Sequence, residues 1–357
     1  MKNGISRPWL IAVSLVVAAC SGAAPTTTSA TPEATETTQT PGGDQPTAVR
    51  LGYFPNVTHA PALVGVADGL FEAELDGVAL ETFTFNAGTE AIEAIFADAI
   101  DMTFIGPNPA INAFAQSEGA AIRIISGSTS GGAALIVKPE INEPADLAGL
   151  KIATPSLGNT QDVALRAWLQ EQGFETTPEG GGDVSVVPQS NSQSLETFLS
   201  GDIDGAWVPE PWATRLVNEG GGKVLVDERD LWENGEFVTT HLIVRTDFLE
   251  RYPAAVAAVL RGLVSAIDQI NEDPTGSQVT VNAGIEELTG SPLSEETMTG
   301  AWSTLSFTLD PIASSLRESA DDAVAVGLLE PVDLNGIYSL ELLNGILSVL
   351  NRETVTS

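Results

Sequence analysis

Two histidines, one cysteine and a few polar turns are what this 357-residue sequence offers for chemistry. His59 closes the run Phe54-Pro55-Asn56-Val57-Thr58-His59, and His241 follows Thr239-Thr240. Each stands beside an expected strand end, where an imidazole serves equally as a ligand contact or as a packed side chain bonded to backbone. A zinc site wants more ligands than two histidines, so neither a metal nor another cofactor is expected. Catalytic motifs are missing as well. Gly127-Ser128-Thr129-Ser130-Gly131 carries threonine where a nucleophile elbow needs serine. Gly220-Gly221-Gly222-Lys223 lacks the spacing and the hydroxyl residue of a phosphate loop. The expected class is a binding protein and not an enzyme.

The polar turns are more informative. Gly158-Asn159-Thr160-Gln161-Asp162 lies between an expected strand, Lys151–Thr154, and an expected helix, Thr160–Gln172. Gly158 allows a tight turn and Asn159 or Thr160 a cap. The free N–H groups and the positive end of the helix dipole then suit an anion, the dipole alone contributing about 0.3–2 kcal/mol. An ordinary cap explains the same residues. Gly106-Pro107-Asn108-Pro109 is a similar turn into a helix. Ala206-Trp207-Val208-Pro209-Glu210-Pro211-Trp212 makes a rigid corner, in which a tryptophan could floor a pocket and Glu210 accept from an amine; both tryptophans as core and Glu210 as a cap is the plain alternative.

The elements that must position these residues alternate. Val49–Phe54, Val78–Phe85, Met102–Ile105 and Ile122–Ile125 read as strands, separated by helices over Ala60–Phe71, Thr89–Ala97 and from Pro107 to Ser117. A Gly/Ser/Thr stretch, Ser126–Gly132, reads as a crossover. A second unit follows, with strands at Lys151–Thr154, Val184–Val187, Gly205–Val208, Val224–Val226 and Val238–Val244, and helices at Thr160–Gln172, Ser194–Leu199 and Trp212–Asn218. The chain is then mostly helical, with Ala254–Ile270 the longest periodic stretch. Such alternation predicts an α/β fold. A lobe, an inserted lobe and a return make two crossovers, with a ligand cleft where strand C-terminal ends meet helix N-termini. One large doubly wound domain is the alternative.

The N-terminus speaks about location. Lys2 and Arg7 precede an uncharged apolar run, Trp9–Ala19. That run is shorter than the ~20 residues a bilayer core needs and reads as a signal h-region. Val17-Ala18-Ala19-Cys20 resembles a lipobox, so residues 1–19 are expected to be a lipoprotein signal peptide and Cys20 the acylated residue. Residues 20–47 contain no aromatic residue and read as a Thr/Pro/Ala-rich tether. The expected place is therefore extracytoplasmic, with the membrane reached through the lipid anchor. The formal net charge is -33, which excludes nucleic acid as a partner. Surface charge is screened beyond about 8 Å, so an anionic ligand remains admissible.

Taken together, the segments resemble the nitrate/sulfonate/taurine-type family of ABC importer binding proteins, which includes receptors for a thiamine pyrimidine precursor. The resemblance rests on Leu51-Gly52-Tyr53-Phe54-Pro55-Asn56 with Thr58-His59-Ala60, on Ala94–Asp101 leading to Gly106-Pro107-Asn108-Pro109, and on Ser130-Gly131-Gly132. Gly158–Asp162 and Trp207–Trp212 complete it, in order along nearly the whole body. It implies a two-lobed periplasmic-binding-protein fold of type II-like form, with residues 48–130 and 243–357 in lobe 1 and 131–242 in lobe 2. It carries the binding positions to Asn56, His59, Gly106, Asn108, Ser130, Gly131, Asn159, Thr160, Gln161, Glu210 and Thr240. It implies a monomer that works with an ABC permease and ATPase subunits. The expected solute is a small sulfonate- or taurine-like organic anion; the alternatives are a heterocycle such as a thiamine pyrimidine precursor, or an enzyme or sensor on the same scaffold. Nitrate would call for a cation, for which Arg123 and Lys151 are the nearest candidates.

Overall fold

The computed structural model describes residues 45–357, so the expected signal peptide, Cys20 and most of the tether lie outside the described residues. Along the chain the first elements are β1 (Ala48–Tyr53), α1 (Ala60–Ala67), α2 (Leu70–Glu74), β2 (Ala79–Thr84), α3 (Gly88–Phe96), β3 (Met102–Ile105), α4 (Pro107–Gln116) and β4 (Ile122–Gly131). Then come β5 (Ala133–Val137), β6 (Lys151–Thr154), α5 (Thr160–Glu171), β7 (Ser185–Pro188), α6 (Asn191–Ser200), β8 (Gly205–Pro209), α7 (Trp212–Asn218), β9 (Lys223–Asp227) and β10 (Val238–Arg245). The last are α8 (Thr246–Arg251), α9 (Pro253–Glu272), α10 (Pro274–Thr289), α11 (Glu295–Trp302), β11 (Leu305–Phe307), α12 (Ala313–Ala325) and α13 (Glu341–Val349).

Two sheets result, ordered β11-β4-β10-β3-β1-β2 and β7-β6-β8-β5-β9. Within the first, β1 pairs in parallel with β2 and β3, while β10 runs antiparallel to β3 and β4. Within the second, β6 is parallel to β7 and β8, and β5 is antiparallel to β8 and β9. Each sheet carries helices on both faces, and strand alternation sorts its side chains between two cores. In β5, Leu135 and Val137 pack on the α5 side, whereas Ala134 and Ile136 join Leu195, Phe198 and Leu216 on the α6–α7 side. The apolar stripe of α9 is buried against α1, α2 and α13; this helix is long and apolar enough to cross a membrane by composition, and most of it is inside the fold.

The crossovers differ from the sequence reading. Ser126–Gly131 is not a linker but the buried second half of β4. Passage between the sheets falls on Gly132 alone, and β5, which the pattern did not separate from the glycine stretch, starts at the next residue. Gly131 and Gly132 have φ of 80° and 73°, in the left-handed region that side chains avoid. A Cβ on Gly131 would sit 2.5 Å from the Thr304 carbonyl oxygen. The return runs through β10, all of which from Val238 belongs to the first sheet. The expected helix Ala60–Phe71 is broken at Gly69, whose φ is 67°.

Candidate functional site

Strand direction decides where the cleft lies. The C-terminal ends of β1, β2 and β3 in one sheet face those of β6, β7 and β8 in the other, and Thr239 and Thr240 join them because β10 runs the opposite way. Between the two sets lies a cavity of about 30 Å³, room for one or two waters. The lobes are drawn together in this conformation, and an organic solute requires them to part. Gly106 and Thr160 meet across the gap so closely that a Cβ on Gly106 would lie 2.5 Å from Thr160 Oγ1. Trp212 Nε1 donates to Asn56 Oδ1 at 3.0 Å, and Asn112 Nδ2 donates to the Gly158 carbonyl at 3.4 Å.

Of the sequence-derived positions, Asn56, His59, Gly106, Asn159, Thr160, Gln161 and Thr240 line this cavity. Phe54, Thr58, Asn86, Ala87, Pro155, Asn191, Pro209 and Thr239 line it too and were not among the expected binding positions. Asn86 and Asn191 had one available signal: each stands between the end of a parallel strand and a helix start. Every lining side chain is uncharged. His59 is stacked on Phe54 with ring centroids 4.4 Å apart, and its Nδ1 accepts the Phe54 N–H at 3.4 Å, which leaves the proton on Nε2. Burial pulls its pKa down to about 3, so the ring is neutral. Thr160 Oγ1 and Asn191 Oδ1 are buried without a partner.

Five helix N-termini reach this lining: the starts of α1, α3, α4, α5 and α6 supply His59, Ala87, Gly106, Asn159 and Asn191. No acidic residue occupies the first turn of α1, α4 or α6. In α3 the exception, Glu90, accepts the Asn86 N–H. In α5 it is Asp162, fully buried, which accepts from Thr154 Oγ1 at 2.7 Å, the Gly158 N–H at 2.9 Å and Arg166 Nε at 3.1 Å. Arg166, itself 0% exposed, also donates to the Thr177 and Pro178 carbonyls. This pair holds the Gly158–Thr160 turn from beneath and cancels its own charge.

Four expected positions lie elsewhere. Asn108 turns its Nδ2 to the Ser319 carbonyl of α12. Ser130 and Gly131 line a different pocket, beside Arg229 and Asp310, because they form the strand end next to the glycine passage. Glu210 faces a cavity of about 200 Å³ lined by Ala133, Ile136, Ala213 and Val217. Its carboxylate caps α7, accepting Thr214 N–H at 3.0 Å and Thr214 Oγ1 at 2.9 Å. Burial raises its pKa to about 7. Trp207 is core, donating to Glu228, and Trp212 is the cross-cleft strap. His241 lies within β10, fully buried, with Nε2 on the Pro311 carbonyl. Arg123 bonds the Gly119 and Ile122 carbonyls and Lys151 is exposed; neither lines the cleft. Among the described residues no cluster of His, Cys, Asp and Glu could hold a metal.

A model of the NMT1-like family matches residues 42–283. The chain belongs to the NMT1-like family. It is 28% identical over 222 residues to the taurine-binding periplasmic protein of Escherichia coli, covering 62% of this chain and 67% of that protein. It is 31% identical over 117 residues to the nitrate/nitrite binding protein of Synechococcus elongatus, covering 33% of this chain and only 25% of that protein. Among solved structures it resembles the alkanesulfonate-binding protein of Xanthomonas axonopodis pv. citri bound to MOPS, with TM-score 0.68, 20% identity and coverage of 81% of this chain and 96% of that one. The periplasmic nitrate-binding protein of Synechocystis matches with TM-score 0.68 at 16% identity over 85% of this chain and 89% of that one. At these identities the structural likeness establishes the fold, that of the periplasmic binding proteins. This member of the NMT1-like family is an extracytoplasmic solute-binding protein and not an enzyme.

Proposed function

We propose that the protein is the receptor of an ABC importer and captures a small organic anion of the sulfonate class between its lobes. One observation carries this reading: five helix N-termini converge on a cleft whose side chains are all uncharged hydrogen-bonding or apolar groups. Aligned peptide dipoles stabilise negative charge there without a cationic side chain, and prolines at the starts of α1 and α4 leave the N–H donors to α3, α5 and α6. A delocalised sulfonate, with three acceptor oxygens, suits many weak donors. The names of relatives that bind taurine and alkanesulfonates support the class. The heterocycle reading loses its main anchor, because Glu210 is committed to α7.

In the same proposal, residues 48–131 with the C-terminal part from β10 onward form lobe 1, the segment from Ala133 to the end of β9 forms the body of lobe 2, and Cys20 carries the lipid. The solute passes to a permease driven by an ATPase, and the receptor acts as a monomer. Calorimetric titration of the purified protein with short alkyl sulfonates, taurine and nitrate tests the solute class. Saturable heat with a sulfonate is the expected result; binding of nitrate alone, or of none of the three, overturns it.

A further inference from the structure

The cleft that favours an anion has nothing with which to hold a cation. An aliphatic ammonium brings three N–H donors and a charge that is costly to bury unless it is paired. No Asp or Glu lines the cleft. Of the carboxylates closest along the chain, Glu90 is an exposed first-turn residue of α3 that accepts the Asn86 N–H, Asp162 is paired with Arg166, and Glu210 bonds Thr214 in a separate cavity; none lines the cleft. Aromatic faces offer no substitute. Phe54 has one face covered by the His59 ring, and Trp212, outside the lining, already has the Arg215 guanidinium 4.7 Å from its ring centroid. Among the fully buried side-chain atoms of the lining, Asn191 Oδ1 and the Thr160 hydroxyl lack a partner, and neither carries a charge to offset an ammonium.

We infer that the cleft takes an alkyl sulfonate without an amino group in preference to its ammonium-bearing analogue, and that Asn191 is a residue that sets this choice. The inference rests on the sulfonate reading and departs from what a relative's name alone would suggest. Asn191 is the first residue of α6, where an acidic residue is well tolerated. A carboxylate placed there would give the ammonium its missing counter-charge.

Ethanesulfonate and taurine differ by this one group, so the full chain titrated with each at neutral pH reads the preference directly. Ethanesulfonate should bind about tenfold or more tighter than taurine. In Asn191→Asp, with its thermal transition recorded to show that it folds, the ratio should shift toward taurine by about tenfold. Equal or tighter binding of taurine by the parent overturns the inference while leaving the sulfonate reading in place. An unchanged ratio in a folded Asn191→Asp removes the role of that residue, and Asn86→Asp provides a second carboxylate should the first variant fail to fold. Silence for both compounds overturns the sulfonate reading and the inference together.

Discussion

The cleft and the cavity behind Glu210 are one residue of chain apart: Pro209 lines the first and Glu210 the second. β8 explains the separation, because successive side chains of a strand point to opposite faces. The cavity is largely apolar and holds a carboxyl group pushed toward neutrality by burial. The cleft is lined by uncharged side chains, and the buried carboxylate beneath it, Asp162, is paired with Arg166. An ionisable group near a pocket is thus a weak guide to a binding site: this one serves a helix cap, while the cleft proposed for the solute is lined by neutral side chains.

The contrast breaks most severely if the charge under the cleft is left unpaired. Asp162→Ala should cost about 3–5 kcal/mol of stability, because Arg166 then remains buried alone. Urea unfolding measures it, and the double variant Asp162→Leu/Arg166→Met should cost less than the single one. An undisturbed single variant would mean that the pair does not support the turn.

Gly106→Ala acts on closure. Its Cβ would press on Thr160 Oγ1, and overpacking of this kind costs about 1–3 kcal/mol. The loss should fall on solute affinity, with the melting temperature little changed, since an open cleft relieves the clash. Titration beside thermal denaturation separates the two.

Glu210→Gln sharpens the comparison from the other side. The folded pKa of Glu210 is raised to about 7 from the ordinary 4.5, so the folded state holds a proton that the unfolded state has released. That contribution is full below the unfolded value and is lost as pH rises through about 7, at roughly 1.4 kcal/mol per pH unit. Relative to the parent, the variant should gain stability as pH climbs through this window, while sulfonate affinity stays put. A collapse of affinity would return Glu210 to the binding site.

The smallest effect is an expected absence. His59 is neutral down to about pH 3, so affinity for the anion should stay flat from about pH 5 to 8. Tighter binding in acid would mean that an imidazolium takes part.

The turns at strand ends were legible in the sequence because glycine and asparagine before a helix have a mechanical reason to be there. His59, Gly106 and Asn159–Gln161 were found that way, and so was the alternation that makes two sheets. Facing is what local pattern does not carry. Glu210 sits one position past a cleft residue, His241 lies inside β10 and not at its end, and Ser130 ends a strand that looked like a linker. Asn86 and Asn191 were passed over because, without the second lobe opposite, each is an ordinary turn residue. Which of them converge is set by β10 and β8 meeting strands distant in sequence, through pairings no local window contains.

The glycine passage has a practical corollary. One connection between the sheets is a single residue, while the other spans the stretch between Asp227 and Val238, where Glu228 and Phe237 are buried and Glu233, Asn234 and Glu236 are exposed. The short connection has no slack, so a fluorescent reporter spliced there would pull the sheets out of register. The long one has length to spare and would tolerate the insertion, reporting solute capture as a change in the distance between its own two ends.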